Sequence, residues 1–168
     1  MQEREKAMSP KEITKLSNEL AYQKYLFTEE HMRRLYQRLS KSEYIALYFI
    51  RETEETSEIY SGRTYLKDLA GKLQLPIRRV SQMVKALKER GLLTWSHDGD
   101  GSEGTYVTIT ESGKKLLAEE EETLKSFYGK IIEKFGKENM IQMLQLMKQL
   151  ETIMSAEAEN LEGEEADG

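Results

Sequence analysis

The stretch that decides the fold is residues 73–93, which read LQLPIRRVSQMVKALKERGLL. Gln74, Leu75 and Pro76 interrupt a helical pattern, because proline cannot continue a helix and restricts the residue before it. Gly91 supplies the stop for the helix that follows. Apolar residues recur at helical spacing before the break at Leu66, Leu69, Ala70 and Leu73, and after it at Val80, Met83, Val84 and Leu87. The stretch therefore predicts a helix-turn-helix.

After Gly91 the period of the pattern changes from that of a helix to that of a strand. Leu93 and Trp95 alternate with polar residues, and so do Val107 and Ile109, as expected of half-buried strands. The residues between these pairs, DGDGSEG at 98–104, favour turns. We therefore predict a β-hairpin with a long tip, which would be the wing of a winged helix.

Further helices are predicted on both sides of this unit. Their expected starts are Ser9 followed by Pro10, the capping box of Ser40 and Glu43, and Thr110. An acidic, turn-prone stretch from Glu52 to Gly62 is interpreted as a loop, and a break near Gly136 precedes the last helix. The predicted fold class is mainly α with a small β-hairpin, a winged helix-turn-helix with N-terminal and C-terminal dimerisation helices.

The composition limits the class of protein. The chain has 168 residues, a net charge of −5 and no cysteine, which excludes disulfides and thiolate metal sites. No apolar stretch is long enough to span a bilayer, and residues 1–8 are too polar for a signal peptide. We therefore expect a soluble, cytoplasmic protein with no membrane partner.

The exposed face of the second helix suits double-stranded DNA. Arginine can donate two hydrogen bonds to guanine, and glutamine can pair with adenine in the same manner. Between residues 63 and 91 there are eight basic and two acidic residues, a net of plus six inside an acidic protein, as expected of a face that meets a polyanion. The DNA-binding residues expected from this face are Ile77, Arg78, Arg79, Ser81, Gln82, Lys85 and Lys88.

The end helices carry more apolar surface than one small lobe can cover. The stripe on the last helix is either ordinary core or a dimer seam, and we favour the seam because methionine adapts to irregular surfaces. The expected dimerisation residues are Ile13, Leu16, Leu20, Met143, Met147, Leu150 and Met154.

The segment from Tyr65 to Leu117 resembles the MarR family of bacterial regulators. The resemblance lies in residues 73–93 and in Thr108–Leu117, TITESGKKLL, and the flanking helices extend it to roughly residues 10–160. It implies a homodimeric, sequence-specific transcription regulator with residues 77–90 as a recognition helix in the major groove. Both a repressor and an activator are open, and we favour a repressor. The resemblance also implies a ligand cleft between the dimer helices and the DNA-binding lobe.

Two features depart from that family's pattern. Its wing tip usually carries an aspartate followed by arginines, where this chain has Gly101, Ser102 and Glu103. Its recognition helix usually begins with a serine or threonine cap, where this chain has Pro76. Because carboxylates repel phosphates, the acidic wing motivates an alternative hypothesis, a winged-helix protein–protein interaction module with weak or no DNA affinity.

The domain boundaries expected from these arguments are a disordered N-terminus at 1–8, a dimerisation helix at 9–39, the DNA-binding lobe at 40–110, C-terminal dimerisation helices at 111–160 and a disordered acidic tail at 161–168.

No cofactor, metal ion or enzymatic activity is expected. The spacing of Asp98, Asp100 and Ser102 starts like a calcium loop, but Glu103 and Ile109 occupy positions that need glycine and glutamate. The two histidines, His31 and His97, are too few for zinc without thiols. A small-molecule effector stays open, because the aromatic residues either line a cleft or form core. These are Tyr22, Tyr25, Tyr36, Tyr44, Tyr48, Tyr65 and Trp95.

Overall fold

A computed structural model describes residues 7–27, 35–56, 62–97 and 104–166. Its elements are α1 Pro10–Phe27, α2 Lys41–Glu55, β1 Thr64–Tyr65, α3 Leu66–Leu73, α4 Ile77–Glu89, β2 Leu93–His97, β3 Thr105–Ile109, α5 Glu111–Phe135 and α6 Lys137–Ala166. The chain divides into two compact units, residues 1–121 and residues 122–168. The mainly helical winged-helix fold predicted from the sequence is confirmed.

The helix-turn-helix consists of α3 and α4. Gln74 ends α3 in the left-handed conformation with φ 53°, and Pro76 precedes α4 with its backbone extended. The conformation of Gln74 reverses the chain direction, while Pro76 is suited to a helix start. Gly91 follows α4 with φ 75°, a conformation that glycine adopts without steric cost.

The wing is an antiparallel sheet of three strands in the order β1–β3–β2. The two long strands pair from Leu93 with Ile109 to His97 with Thr105, as the hairpin prediction requires. β1 was not predicted, and it pairs with β3 through Thr64 and Val107. A strand of two residues is too short to show alternation, so the hydrophobic pattern contains no signal for it.

The core of the first unit joins α2, α3, α4, the sheet and the start of α5. Both predicted inner faces are confirmed, since Val80, Val84 and Leu87 of α4 are fully buried and Met83 packs against them. The buried cluster consists of Leu39, Ala46, Leu47, Ile50, Leu66, Leu69, Val80, Val84, Leu87, Leu92, Leu93, Val107, Ile109 and Leu117. The exposed face of α4 is thus fixed by the burial of its opposite face.

Three expected boundaries differ from the structure. The loop expected from Glu52 begins later, because α2 continues to Glu55 through residues that favour helices. Of the helix expected over 9–39, the described part is Pro10–Phe27, and residues 36–40 are not helical. The disordered tail is expected from residue 161, whereas α6 continues to Ala166 through a glutamate-rich and alanine-rich sequence.

The predicted helix caps are present. Ser40 and Glu43 form the complete capping box at the start of α2. The Thr110 side chain accepts a hydrogen bond from the Gly113 N–H at 3.0 Å, and Ser9 accepts one from the Glu12 N–H at 3.2 Å. These caps satisfy donors that the first turn of a helix cannot satisfy internally, so they fix where each helix starts.

Candidate nucleic-acid interface

The exposed face of α4 carries the residues that the sequence assigned to DNA. Arg78, Arg79, Gln82 and Lys85 are exposed. Ser81 is half-buried, and Ile77 at the start of the helix is 55% exposed. Because the opposite face of the helix is buried, these side chains cannot turn inward without breaking the core. The structure therefore presents the predicted site residues together on one helix.

The cations on this face are available to a ligand. No carboxylate of the described residues lies within ion-pair distance of Arg78, Arg79 or Lys85. The one acidic residue of α4 is Glu89, in its last turn. Unpaired positive charge on the exposed face of a helix attracts phosphate over several ångströms of solvent.

Lys88 points towards the wing. Its Nζ lies 5.7 Å from the centre of the Trp95 ring, a cation–π distance. Trp95 lies in β2 and packs against the core, so the end of α4 and the base of the wing are held in contact. Lys88 thus lies in the last turn of α4 beside the wing, whereas Arg78 lies in its first turn.

Arg90 belongs to the framework and not to the ligand face. Its Nη2 donates to the Arg38 carbonyl at 2.8 Å, and its Nη1 lies 3.7 Å from the Glu43 carboxylate. The count of plus six between residues 63 and 91 therefore overstates the free charge. Its partners lie about fifty positions away, and no local pattern in the sequence marks them.

Arg63 and Lys72, which also contribute to the net charge of plus six, lie over aromatic rings as well. The Arg63 guanidinium lies 4.4 Å from the centre of the Tyr106 ring, and Lys72 Nζ lies 5.4 Å from that of Phe49. Both charges are thus directed to the sheet and to α2. The positive charge that remains unpaired on α4 is concentrated at Arg78, Arg79 and Lys85.

Of the two departures from the family's pattern, Pro76 lies within the described residues and the wing tip does not. Pro76 makes no side-chain cap, as expected, and its carbonyl accepts the Arg79 N–H at 2.9 Å. The wing tip with Asp98, Asp100, Gly101, Ser102 and Glu103 lies outside the described residues, as does His31. At the base of the wing, His97 is exposed, and its Nδ1 lies 3.0 Å from the Thr105 hydroxyl.

The expected dimerisation residues occupy apolar faces in separate units. On α1, Ile13, Leu16 and Leu20 are 47%, 52% and 40% exposed. On α6, Met143 is half-buried, while Met147, Leu150 and Met154 are 54%, 39% and 37% exposed. Met143, Met147 and Leu150 line an apolar groove of about 510 Å³ along α6. The apolar side chains of each face are removed from water only if a partner covers that face.

The described ring contacts of Tyr36, Tyr44, Tyr65 and Trp95 lie at separate places in the first unit. Tyr36 and Tyr44 meet edge to face at 5.7 Å, and burial raises the pKa of Tyr44 to about 12. Tyr65 instead meets Tyr106 at 5.9 Å across the sheet. Trp95 packs on the core. These contacts make the aromatic residues named here part of the packing.

Among the described residues, no group of three or more histidine, aspartate or glutamate side chains could hold a metal ion. None of the described helices combines the length and the apolarity needed to cross a bilayer.

Solved structures of MarR-family regulators share this fold. A MarR family protein from Bacillus stearothermophilus is 17% identical, with a TM-score of 0.63 over 89% of this chain and 99% of its own. The transcriptional repressor CouR, bound to a 23-mer DNA duplex, is 15% identical, with a TM-score of 0.66 over 86% of this chain and 99% of its own.

A third similar structure is NadR in complex with 4-hydroxyphenylacetate. It is 18% identical, with a TM-score of 0.57 over 89% of this chain and 97% of its own. No protein-family profile matches the chain, and no curated protein matches it. The chain thus has the winged-helix fold seen in MarR-family transcriptional regulators, which confirms the fold that the sequence resemblance implied.

Proposed function

We propose that this chain is a sequence-specific DNA-binding transcription regulator, a repressor, that acts as a homodimer. The observation that carries the proposal is the exposed face of α4, where Arg78, Arg79 and Lys85 have no carboxylate partner among the described residues. A helix of this kind fits the major groove, where arginine and glutamine can read base edges.

The positions of the side chains on α4 determine which of them contact bases and which contact phosphates. Arg78 and Gln82 lie one turn apart, opposite the buried Val80 and Leu87, so they are placed to read bases. Ser81 and Lys85 contact phosphates and set the register of the helix on the duplex. The repressor assignment follows the DNA-bound repressor CouR, which shares the fold.

The dimer and the effector are further parts of the proposal. The apolar faces of α1 and α6 are covered by the second copy of the chain, which places two copies of α4 against one duplex. A small-molecule effector is supported by NadR, which was solved with 4-hydroxyphenylacetate. In such a regulator the ligand shifts the dimer between forms with different DNA affinity.

The experiment is a comparison of two double variants on the same DNA. A duplex selected from a random pool by the wild-type chain is titrated with Arg78→Ala/Arg79→Ala, which should lose about 1–3 kcal/mol for each arginine that reads a base. The control is Lys130→Ala/Lys134→Ala, which removes two charges from exposed positions of α5 and should bind like the wild type. Equal affinity of both double variants would refute the assignment of α4 and favour the protein-interaction alternative.

A further inference from the structure

Ile77 is an unusual surface residue. It is the first residue of α4 and is 55% exposed, although its side chain is purely aliphatic. Between residues 35 and 121, the described part of the chain exposes one other large hydrophobic side chain, Tyr48, which is 37% exposed and carries a hydroxyl group. The other large aliphatic side chains of this described region are buried or half-buried, and Ile77 is left in water at the start of α4.

The surroundings of Ile77 are those of a DNA-facing edge. Arg78 and Arg79 follow it and are exposed, with no carboxylate partner among the described residues. Pro76 forms the N-cap without a side-chain hydrogen bond, so no polar cap projects beyond Ile77. An apolar partner protein is poorly matched to an isolated isoleucine next to two unpaired cations, whereas DNA supplies both phosphates and an apolar group.

We infer that Ile77 contacts the 5-methyl group of a thymine in the major groove and thereby helps to determine the DNA sequence that is bound. This inference rests on the proposed function, because it requires α4 to enter the groove. The thymine methyl is the apolar group that the major-groove edges of the four base pairs offer. Isoleucine cannot donate or accept a hydrogen bond, so this methyl is the base feature that it can recognise.

The test removes the methyl group and leaves the base pair intact. In a duplex selected by the full-length chain, each thymine is replaced in turn by deoxyuridine, and affinity is measured. At one thymine in each half-site the wild type should bind about fourfold more weakly after the replacement, the ratio expected for one buried methyl group. The Ile77→Ala variant should bind the thymine and deoxyuridine duplexes equally.

A matched control is Ser81→Ala, which truncates a side chain on the same helix. It should keep the fourfold ratio between the two duplexes even if its overall affinity falls, because a general loss of binding does not change that ratio. Ile77→Val, which retains a branched aliphatic group, should keep most of the ratio.

Two results would overturn the inference while leaving the proposed function intact. They are a wild type that binds thymine and deoxyuridine duplexes equally at every position, and an Ile77→Ala variant that keeps the wild-type ratio. Failure of the wild type to select any duplex would overturn the proposed function together with the inference.

Discussion

Glu120 holds Arg38, the residue that links three segments of the first unit. It is 3% exposed, and its carboxylate accepts the Arg38 backbone N–H at 3.2 Å, while Arg38 Nε lies 3.5 Å away. The carbonyl of the same Arg38 accepts a hydrogen bond from Arg90, which follows α4. Arg38, in the segment before α2, thus connects the end of α4 to α5 through a buried carboxylate.

Replacing Glu120 should therefore destabilise the fold. Glu120→Ala leaves a backbone N–H without its acceptor and should lower the free energy of unfolding by about 1–3 kcal/mol in urea denaturation. Glu120→Gln keeps an acceptor oxygen and should cost less. Glu133, at an exposed position of α5, serves as the control, and Glu133→Ala should change stability by at most about 0.5 kcal/mol. Equal effects of the two alanine variants would contradict the role given to Glu120.

Glu54 should make stability depend on pH. Burial raises the pKa of Glu54 above its ordinary value, while the Ile109 N–H and Lys114 offset part of that effect. A carboxyl group with a raised pKa in the folded state adds stability at low pH, and this is lost as the pH rises through the folded pKa. The ionised group thus costs stability at neutral pH.

The variant Glu54→Gln removes that titration and keeps an acceptor for Ile109. Its stability relative to the wild type should be higher at pH 7 than at pH 4, as measured by urea denaturation at both pH values. Glu55→Gln, at the exposed position next to it, controls for the general effect of removing a charge. If the stability of Glu54→Gln relative to the wild type falls as the pH rises, the direction predicted for this pH dependence is wrong.

At the scale of elements, the start of α5 packs closely against Gly91 and Leu92, which link α4 to the wing. The Thr110 hydroxyl donates to the Gly91 carbonyl at 2.7 Å, and the Thr110 N–H donates to the Leu92 carbonyl at 3.1 Å. A Cβ added to Gly113 would lie 2.3 Å from that Leu92 carbonyl oxygen. Glycine is required there because two backbones approach closely.

Two glycine substitutions should therefore have opposite effects. Gly113→Ala forces apart α5 and the residue after the α4 stop, and should destabilise the protein by about 1–3 kcal/mol. Gly71→Ala adds a Cβ that meets nothing within 4 Å inside α3, and should stabilise it by up to about 1 kcal/mol. Thermal unfolding of the three proteins should show that Gly113→Ala is less stable than the wild type and that Gly71→Ala is more stable. A Gly113→Ala variant as stable as Gly71→Ala would contradict the close approach.

The sequence predicts those features of the fold and site that depend on nearby residues. The inner faces of α3 and α4 and the capping box at Ser40 follow from spacings of three and four residues, and the structure has all of them. The strand β1 and the partners of Arg90 depend on residues that the fold brings together from distant positions. A local pattern contains no information on such contacts, so these were missed.

At the scale of the whole molecule, the proposed dimer explains the apolar surfaces of the end helices. Within the second unit, the exposed large hydrophobic side chains of α6 include Ile141, Leu144, Leu146, Met147, Leu150, Ile153, Met154 and Leu161. An apolar surface of this extent is unusual for a monomer in water and is typical of an interface.

Charges placed on this surface should separate the copies. Met147→Lys/Leu150→Lys puts two ammonium groups into the proposed interface and should give monomers in sedimentation velocity, because an unpaired buried charge is costly. Gln145→Lys/Gln149→Lys adds the same charge on the other side of α6 and should sediment as the wild type does. A wild type that is already monomeric at micromolar concentration would contradict the dimer.

The most direct test of the central claim, that α4 binds DNA through its unpaired cations, is the salt dependence of wild-type affinity for a selected duplex. In the proposed dimer, two copies of α4 present Arg78, Arg79 and Lys85 twice over, with Lys88 at the end of each helix. Contacts to about six to ten phosphates should lower the affinity by about 10³-fold or more between 50 and 200 mM salt. An affinity that changes less than about tenfold over this range would contradict the claim.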